Sequence, residues 1–175
     1  MRIVLVPYDR RWPEQFEAAA AELKRLGNAD WLVEHIGSTS IPGLRAKPII
    51  DLAVRIRDRG DFDAHRDRLE ASGWHIGSGV RSHLVMLFER EGQRTHIAHF
   101  FPAVEWEENN QRILRDWLLS HPADAAYYES AKIAAAAAAR GQSASYNSAK
   151  TAVIQGIVDR ARAERGLPSA AVYDK

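Results

Sequence analysis

The stretch EHIGSTSIPGLRAKPIIDLAV, residues 34–54, joins two apolar runs through a loop of small residues, prolines and basic side chains. The runs, 31–36 and 49–56, are short, rich in β-branched residues and bounded by turn formers, which predicts two strands. Gly37 and Ser38 leave the first strand directly, and residues this small let backbone N–H groups approach an anion without obstruction. With Thr39 they are the candidate phosphate-binding positions. The loop is not a P-loop: GxxxxGKS or GxxxxGKT is absent and Lys47 stands ten positions after Gly37. A Gly-Ser pair alone is ordinarily a turn. Asp51 adds a second signal, because it lies among Ile49, Ile50, Leu52 and Val54, where a carboxylate is costly to bury unless paired or bound to a cation. A salt bridge to Lys47 or Arg55 meets that requirement, and so does a functional role.

Working outward, residues 13–26 place Phe16, Ala19, Ala20, Leu23 and Leu26 at helical spacing, with Gly27 as the stop. On the other side, 61–72 predicts a helix closed by Gly73, followed by 74–76 and a strand over 82–89. Glu91 and Gly92 form a turn, and 94–101 is the partner strand, ended by Pro102. Helical periodicity then returns over 109–119, 123–140 and 145–163, with Pro122 and Gly141 as breaks. The expectation is one α/β (α+β) domain over 1–163, a mixed sheet flanked by helices with a C-terminal helical layer, and a polar tail over 164–175. No internal repeat or linker rich in Pro, Gly or Ser interrupts it.

Bulk properties narrow the function. A chain of 175 residues suits one core, and 46% hydrophobic with 27% charged residues is ordinary globular composition. Twenty-four basic against 23 acidic side chains give a formal charge of +1, so no long-range field gathers nucleic acid or an anionic membrane, and neither is an expected partner. The absence of cysteine excludes disulfides, thiolate catalysis and cysteine-ligated zinc, and suits a cytoplasmic location. The start, MRIVLVPYDRRWPEQF, resembles neither a signal peptide nor a membrane span, and the run IAAAAAARG from Ile133 to Gly141 is too short to cross a bilayer. Oligomeric state is not legible, since an apolar helix stripe serves a sheet or a second subunit equally.

The remaining chemistry-bearing residues each carry two readings. Lys47, restrained by Pro48, is a phosphate point charge or a solvated surface lysine. His99 shares a strand face with Ile97 and Phe101, while His96 and Ala98 face the other way. It is a metal ligand or proton carrier beside Asp51, or a hydrogen-bonded core histidine. His35 has the same alternatives. Arg81, Arg112, Arg115, Lys132 and Lys150 either complete an anion pocket or are surface charges. Trp106 and Trp117 stack a base or pack a helix on the sheet, and Tyr127 and Tyr128 read as close helix packing.

The string over 34–54 resembles the signature of the GrpB family, a branch of the nucleotidyltransferase superfamily, and VPYDRRWPEQF, RTHIAHFFP, RILRDWLLSHP and YNSAK are similar to further family strings. The resemblance spans roughly residues 5–160. It implies a nucleotidyltransferase-like fold in which Gly37 and Ser38 hold a nucleotide phosphate and Asp51 holds a divalent ion, Mg2+, with His99 as a further ligand or catalytic group. A nucleotide or other phosphorylated metabolite is then the small-molecule partner. The superfamily strand carries two acids, because paired metal-bound carboxylates offset the charge of the transferring group. Here the second position is Ala53, and of two alternating histidines the family carries on the later strand, Ile97 replaces one. An enzyme and a ligand-binding or interaction domain that has lost the chemistry both satisfy this pattern. Some GrpB-like domains are fused to dephospho-coenzyme A kinases, which extends the expected ligands to coenzyme A relatives, although the kinase's P-loop is absent here.

Overall fold

The computed structural model describes residues 4–80, 82–139 and 143–172. Arg81, the break at Gly141, the helix end at Arg140 and the last three residues of the expected tail lie outside them. Among the described residues five strands form one mixed sheet: β1 (Leu32–Ile36), β2 (Ile50–Ile56), β3 (Trp74–Ile76), β4 (Leu84–Arg90) and β5 (Gln93–Pro102), in the order β1-β2-β5-β4-β3. The β2–β5 pair is parallel and its neighbours are antiparallel. The mixed sheet flanked by helices is therefore as expected. The β4–β5 hairpin turns on Glu91 and Gly92, both with positive φ (52° and 72°), the backbone that a two-residue turn between twisted strands demands.

Helix α1 (Trp12–Leu26) begins with a proline in its first turn and buries Trp12, Phe16, Ala19, Ala20, Leu23 and Leu26 on one stripe. That stripe covers Ile50, Leu52, Val54 and Ile56 of β2, together with Ala98, Phe100 and Met86, in the main core. The helix expected over 61–72 is instead two, α2 (Arg59–Asp63) and α3 (Arg66–Ala71). Asp58 starts α2 by accepting from the Asp61 amide at 2.9 Å. The break follows because the His65 ring bonds the Asp61 carbonyl at 2.7 Å while the His65 amide turns to Phe62. The Asp61 carboxylate, held below its ordinary range, points inward to Trp31 Nε1 and the Arg57 amide, its hydrogen bonds outweighing the cost of burial.

The C-terminal layer is α4 (Asn110–Ser120), α5 (Pro122–Ala138) and α6 (Ser143–Glu164). It packs on the loop of the signature stretch through Ile41 and Leu44, which meet Leu118, Tyr128 and Ile157. Beyond α6 the chain folds back: Arg162 donates to the Pro168 carbonyl, Asn110 to Ala171, and the Val172 amide to Gln155. Among the described residues no helix is long and apolar enough to cross a membrane.

Candidate functional site

The site starts from a backbone constraint. Gly37 has φ of 74°, and a Cβ built there would lie 2.4 Å from Asp51 Oδ2, so this position tolerates no side chain. The antiparallel register sets Ile36 opposite Asp51, which brings the first residue of the loop onto the carboxylate. Residues 38–40 then form one 3-10 turn, closed by the Ser40 hydroxyl donating to the Gly37 carbonyl at 2.5 Å. Thr39 is buried and holds this turn in place: it donates to the Ile49 carbonyl at 3.3 Å and lies 2.9 Å from His35 Nε2. The His35 ring stacks on Phe16 at 4.8 Å, on the α1 side of the sheet. Burial pulls its pKa down to about 4, with Arg115 adding to the effect and Asp51 opposing it.

Asp51 and His99 come together as the sequence proposed, but by a long-range pairing. Parallel β2 and β5 place Asp51 beside Ile97 and Ala53 beside His99, all on the face away from α1. His99 Nε2 lies 3.1 Å from Asp51 Oδ1, and its Nδ1 lies 2.7 Å from His83 Nε2. His83 Nδ1 in turn meets the Ser82 hydroxyl at 2.8 Å. His99 is fully buried and Asp51 is 9% exposed. His96 projects from the opposite face, toward Trp74 and Phe88, as the alternation requires.

Beside the loop stands a basic and aromatic wall that sequence reasoning saw only in pieces. Ser38 Oγ and Tyr128 Oη are 3.2 Å apart. Lys47 sits over the Tyr146 ring at 4.3 Å and Lys150 over the same ring at 5.4 Å. Burial pushes the Tyr146 phenol above its ordinary pKa. Lys132, expected to be a surface or anion-pocket cation, is 1% exposed, donates to the Arg45 carbonyl at 2.6 Å and lies 5.0 Å from the Tyr128 ring. The lysine spacing gave no sign of this, because the contacts join residues some ninety positions apart, such as Ser38 and Tyr128.

Arg112 and Arg115 serve Glu34 and not an anion pocket. Arg112 binds it through two nitrogens at 2.9 and 3.2 Å and Arg115 through one at 2.8 Å, tying α4 to β1. Burial alone would raise the Glu34 pKa, but these two guanidiniums hold it below the usual value. Trp106 is buried with Ile36, Ala53 and Phe101, and Trp117 stacks on His121, so both tryptophans pack.

The place of the second acid is thus filled by apolar contacts. Ala53 is fully buried, and its β1 partner is the arginine-bound Glu34. Among the described residues no three His, Asp or Glu side chains gather into a metal cluster. The sequence-proposed donors Asp51 and His99 stand together. They do fit a magnesium ion that arrives with a ligand, since Mg2+ takes one or two carboxylates and completes its shell with phosphate oxygens and water.

The chain matches the family described as GrpB protein over residues 2–160. It belongs to the GrpB family. It is 36% identical to a UPF0157 protein of Halalkalibacterium halodurans, covering 92% of this chain and 83% of that one. Among solved structures it is similar to the conserved protein GrpB from Enterococcus faecalis, at 30% identity and a TM-score of 0.83 over 93% of this chain and 99% of that one. The likeness to terminal uridylyl transferase 4 from Trypanosoma brucei, at 11% identity and a TM-score of 0.55 over 97% and 64% of the two chains, is one of fold, so this chain has a nucleotidyltransferase-like architecture. A shorter match, 33% identical, joins 43% of this chain to 21% of a dephospho-CoA kinase of Mycolicibacterium paratuberculosis.

Proposed function

We propose that the chain is a nucleotidyltransferase-like enzyme that binds a nucleotide or another phosphorylated metabolite at Gly37 and Ser38, with a divalent ion, Mg2+, carried in by the ligand onto Asp51. The convergence of the Gly37 backbone and the Asp51 carboxylate is the observation that carries this reading. The turn at φ 74° demands a glycine, and the same bare backbone beside a carboxylate lets phosphate and ion approach one point closely. In this reading the loop backbone and the Ser38 hydroxyl bind phosphate oxygens, and Lys47 and Lys150 supply positive charge from the adjoining wall. His99 orients Asp51 from behind. The ion, when bound, offsets phosphate charge. Terminal uridylyl transferase 4, which shares the fold, is described with bound dUTP, and the dephospho-CoA kinase match adds coenzyme A precursors to the candidate ligands.

One observation favours a second reading, binding without turnover: Ala53 is packed where the second acid of two-metal chemistry would stand. Both readings are tested by thermal shift of the purified protein with the four nucleoside triphosphates, dephospho-coenzyme A and coenzyme A, with Mg2+ or with a chelator, in wild type and Asp51→Asn. Ligand binding to the native state raises the melting temperature by mass action. A Mg2+-dependent rise lost in Asp51→Asn supports the site, and product formation from the same ligand selects the enzyme over the binding domain. No rise with any of these compounds overturns both.

A further inference from the structure

We propose that His83 is a positioning residue for Asp51, acting through His99. One chain of hydrogen bonds links the three residues, and the role rests on the reading that Asp51 faces the ligand. An ionised carboxylate only accepts, so the nitrogen of His99 that meets Asp51 Oδ1 at 3.1 Å, Nε2, carries the proton. On its far side His99 Nδ1 lies 2.7 Å from His83 Nε2, so the two rings share a hydrogen bond. His83 Nδ1 in turn meets the Ser82 hydroxyl at 2.8 Å. The contacts form one line from the chain entering β4 to the carboxylate.

Ring packing holds the same geometry. The His83 ring lies 4.5 Å from the Phe101 ring and 5.0 Å from that of His99, and the His99 and Phe101 rings are parallel within 4°. With Asp51 Oδ1 engaged by His99, Oδ2 is the oxygen set against Gly37. With alanine at position 53, the orientation of the Asp51 carboxylate matters to any ligand it meets, and His99 contacts it directly. The outer partner of a functional histidine holds its ring in place. His83, on the chain entering β4, therefore couples the hairpin to the phosphate loop on the opposite side of Asp51.

The test uses His83→Gln, whose amide keeps a donor near the Nε2 position, and His83→Phe, which keeps ring packing and removes the donor. Nitrogen-15 NMR of the His99 ring reads the hydrogen bonds of its two nitrogens, and calorimetry with ATP and Mg2+ reads the site. Wild type is expected to show a coupling across the hydrogen bond between His83 Nε2 and His99 Nδ1, a measurement that needs no variant. His83→Gln is expected to keep the wild-type affinity, whereas His83→Phe shifts the His99 Nδ1 resonance and binds about tenfold more weakly. Absence of the coupling in wild type, or a His83→Phe protein with unchanged Nδ1 resonance and affinity, overturns the proposal. If wild type does not bind ATP, the ligand reading fails and the coupling with the Nδ1 resonance still decides the role of His83.

Discussion

The two faces of β2 differ by one residue of register and belong to different kinds of structure. Ile50, Leu52, Val54 and Ile56 point to α1 and lie in the main apolar core. Asp51 and Ala53 point to the other side, where His99, Glu34 and the basic wall around Tyr128 and Tyr146 stand. The first face is built for burial of area, the second for fixed polar geometry. A sheet that needed only stability would bury apolar side chains on both faces of its central strands. The second face therefore carries groups that packing alone does not call for.

The contrast predicts unequal responses to change. Phe100, 1% exposed and packed edge-on against Phe62 and Trp31, should cost the most: Phe100→Ala lowers the unfolding free energy by about 4 kcal/mol in urea titration. An effect below about 1 kcal/mol would break the contrast at its apolar end. On the polar face, Ala53→Asp puts a charge among Ile36, Phe101 and Trp106, and is expected to lose about 3 kcal/mol without creating activity. Metal-dependent turnover gained by this variant would show that the face still accepts two acids.

A smaller effect comes from pH. The folded His35 has its pKa lowered to about 4 from 6.5, so protons favour the unfolded chain. Its contribution is whole above the unfolded value, falls as pH drops below 6.5 and is gone by the folded value, so stability at pH 5 should be about 2 kcal/mol below that at pH 7.5. His96, also lowered by burial, acts with the same sign. Urea midpoints at the two pH values check this, and His35→Gln should remove most of the slope. Smallest of all, Ser82→Ala, an exposed change at the outer end of the histidine chain, is expected to alter stability by less than about 0.5 kcal/mol in the same titration.

Much of this architecture was legible in the sequence, for a local reason. Period-two and helical repeats report on neighbours a few positions apart, so the strands, the glycine loop and the helices could be read directly. The two-helix break at His65 was not, because it arises from one ring bonding one carbonyl inside an unbroken helical pattern. The site was legible in its loop and in Asp51 and His99, but the contact between these two was not given by local spacing, because the parallel pairing of β2 and β5 brings His99 in from 48 positions away. His83 was hidden by a bulge. Extending the hairpin from Arg90 opposite Gln93 would set residue 83 opposite Phe100, on the α1 side; the irregularity between Phe88 and Glu89 shifts the pairing to Leu84 opposite Phe100 and turns His83 toward His99.

The division between the two faces is tested most directly by an amide-resolved NMR titration with whichever nucleotide or coenzyme A precursor raises the melting temperature most. The account predicts that the largest shifts fall on Gly37, Ser38, Asp51 and His99, with Leu23, Leu52 and Phe100 on the α1 side nearly unmoved. Shifts centred on α1, or on neither face, would contradict it.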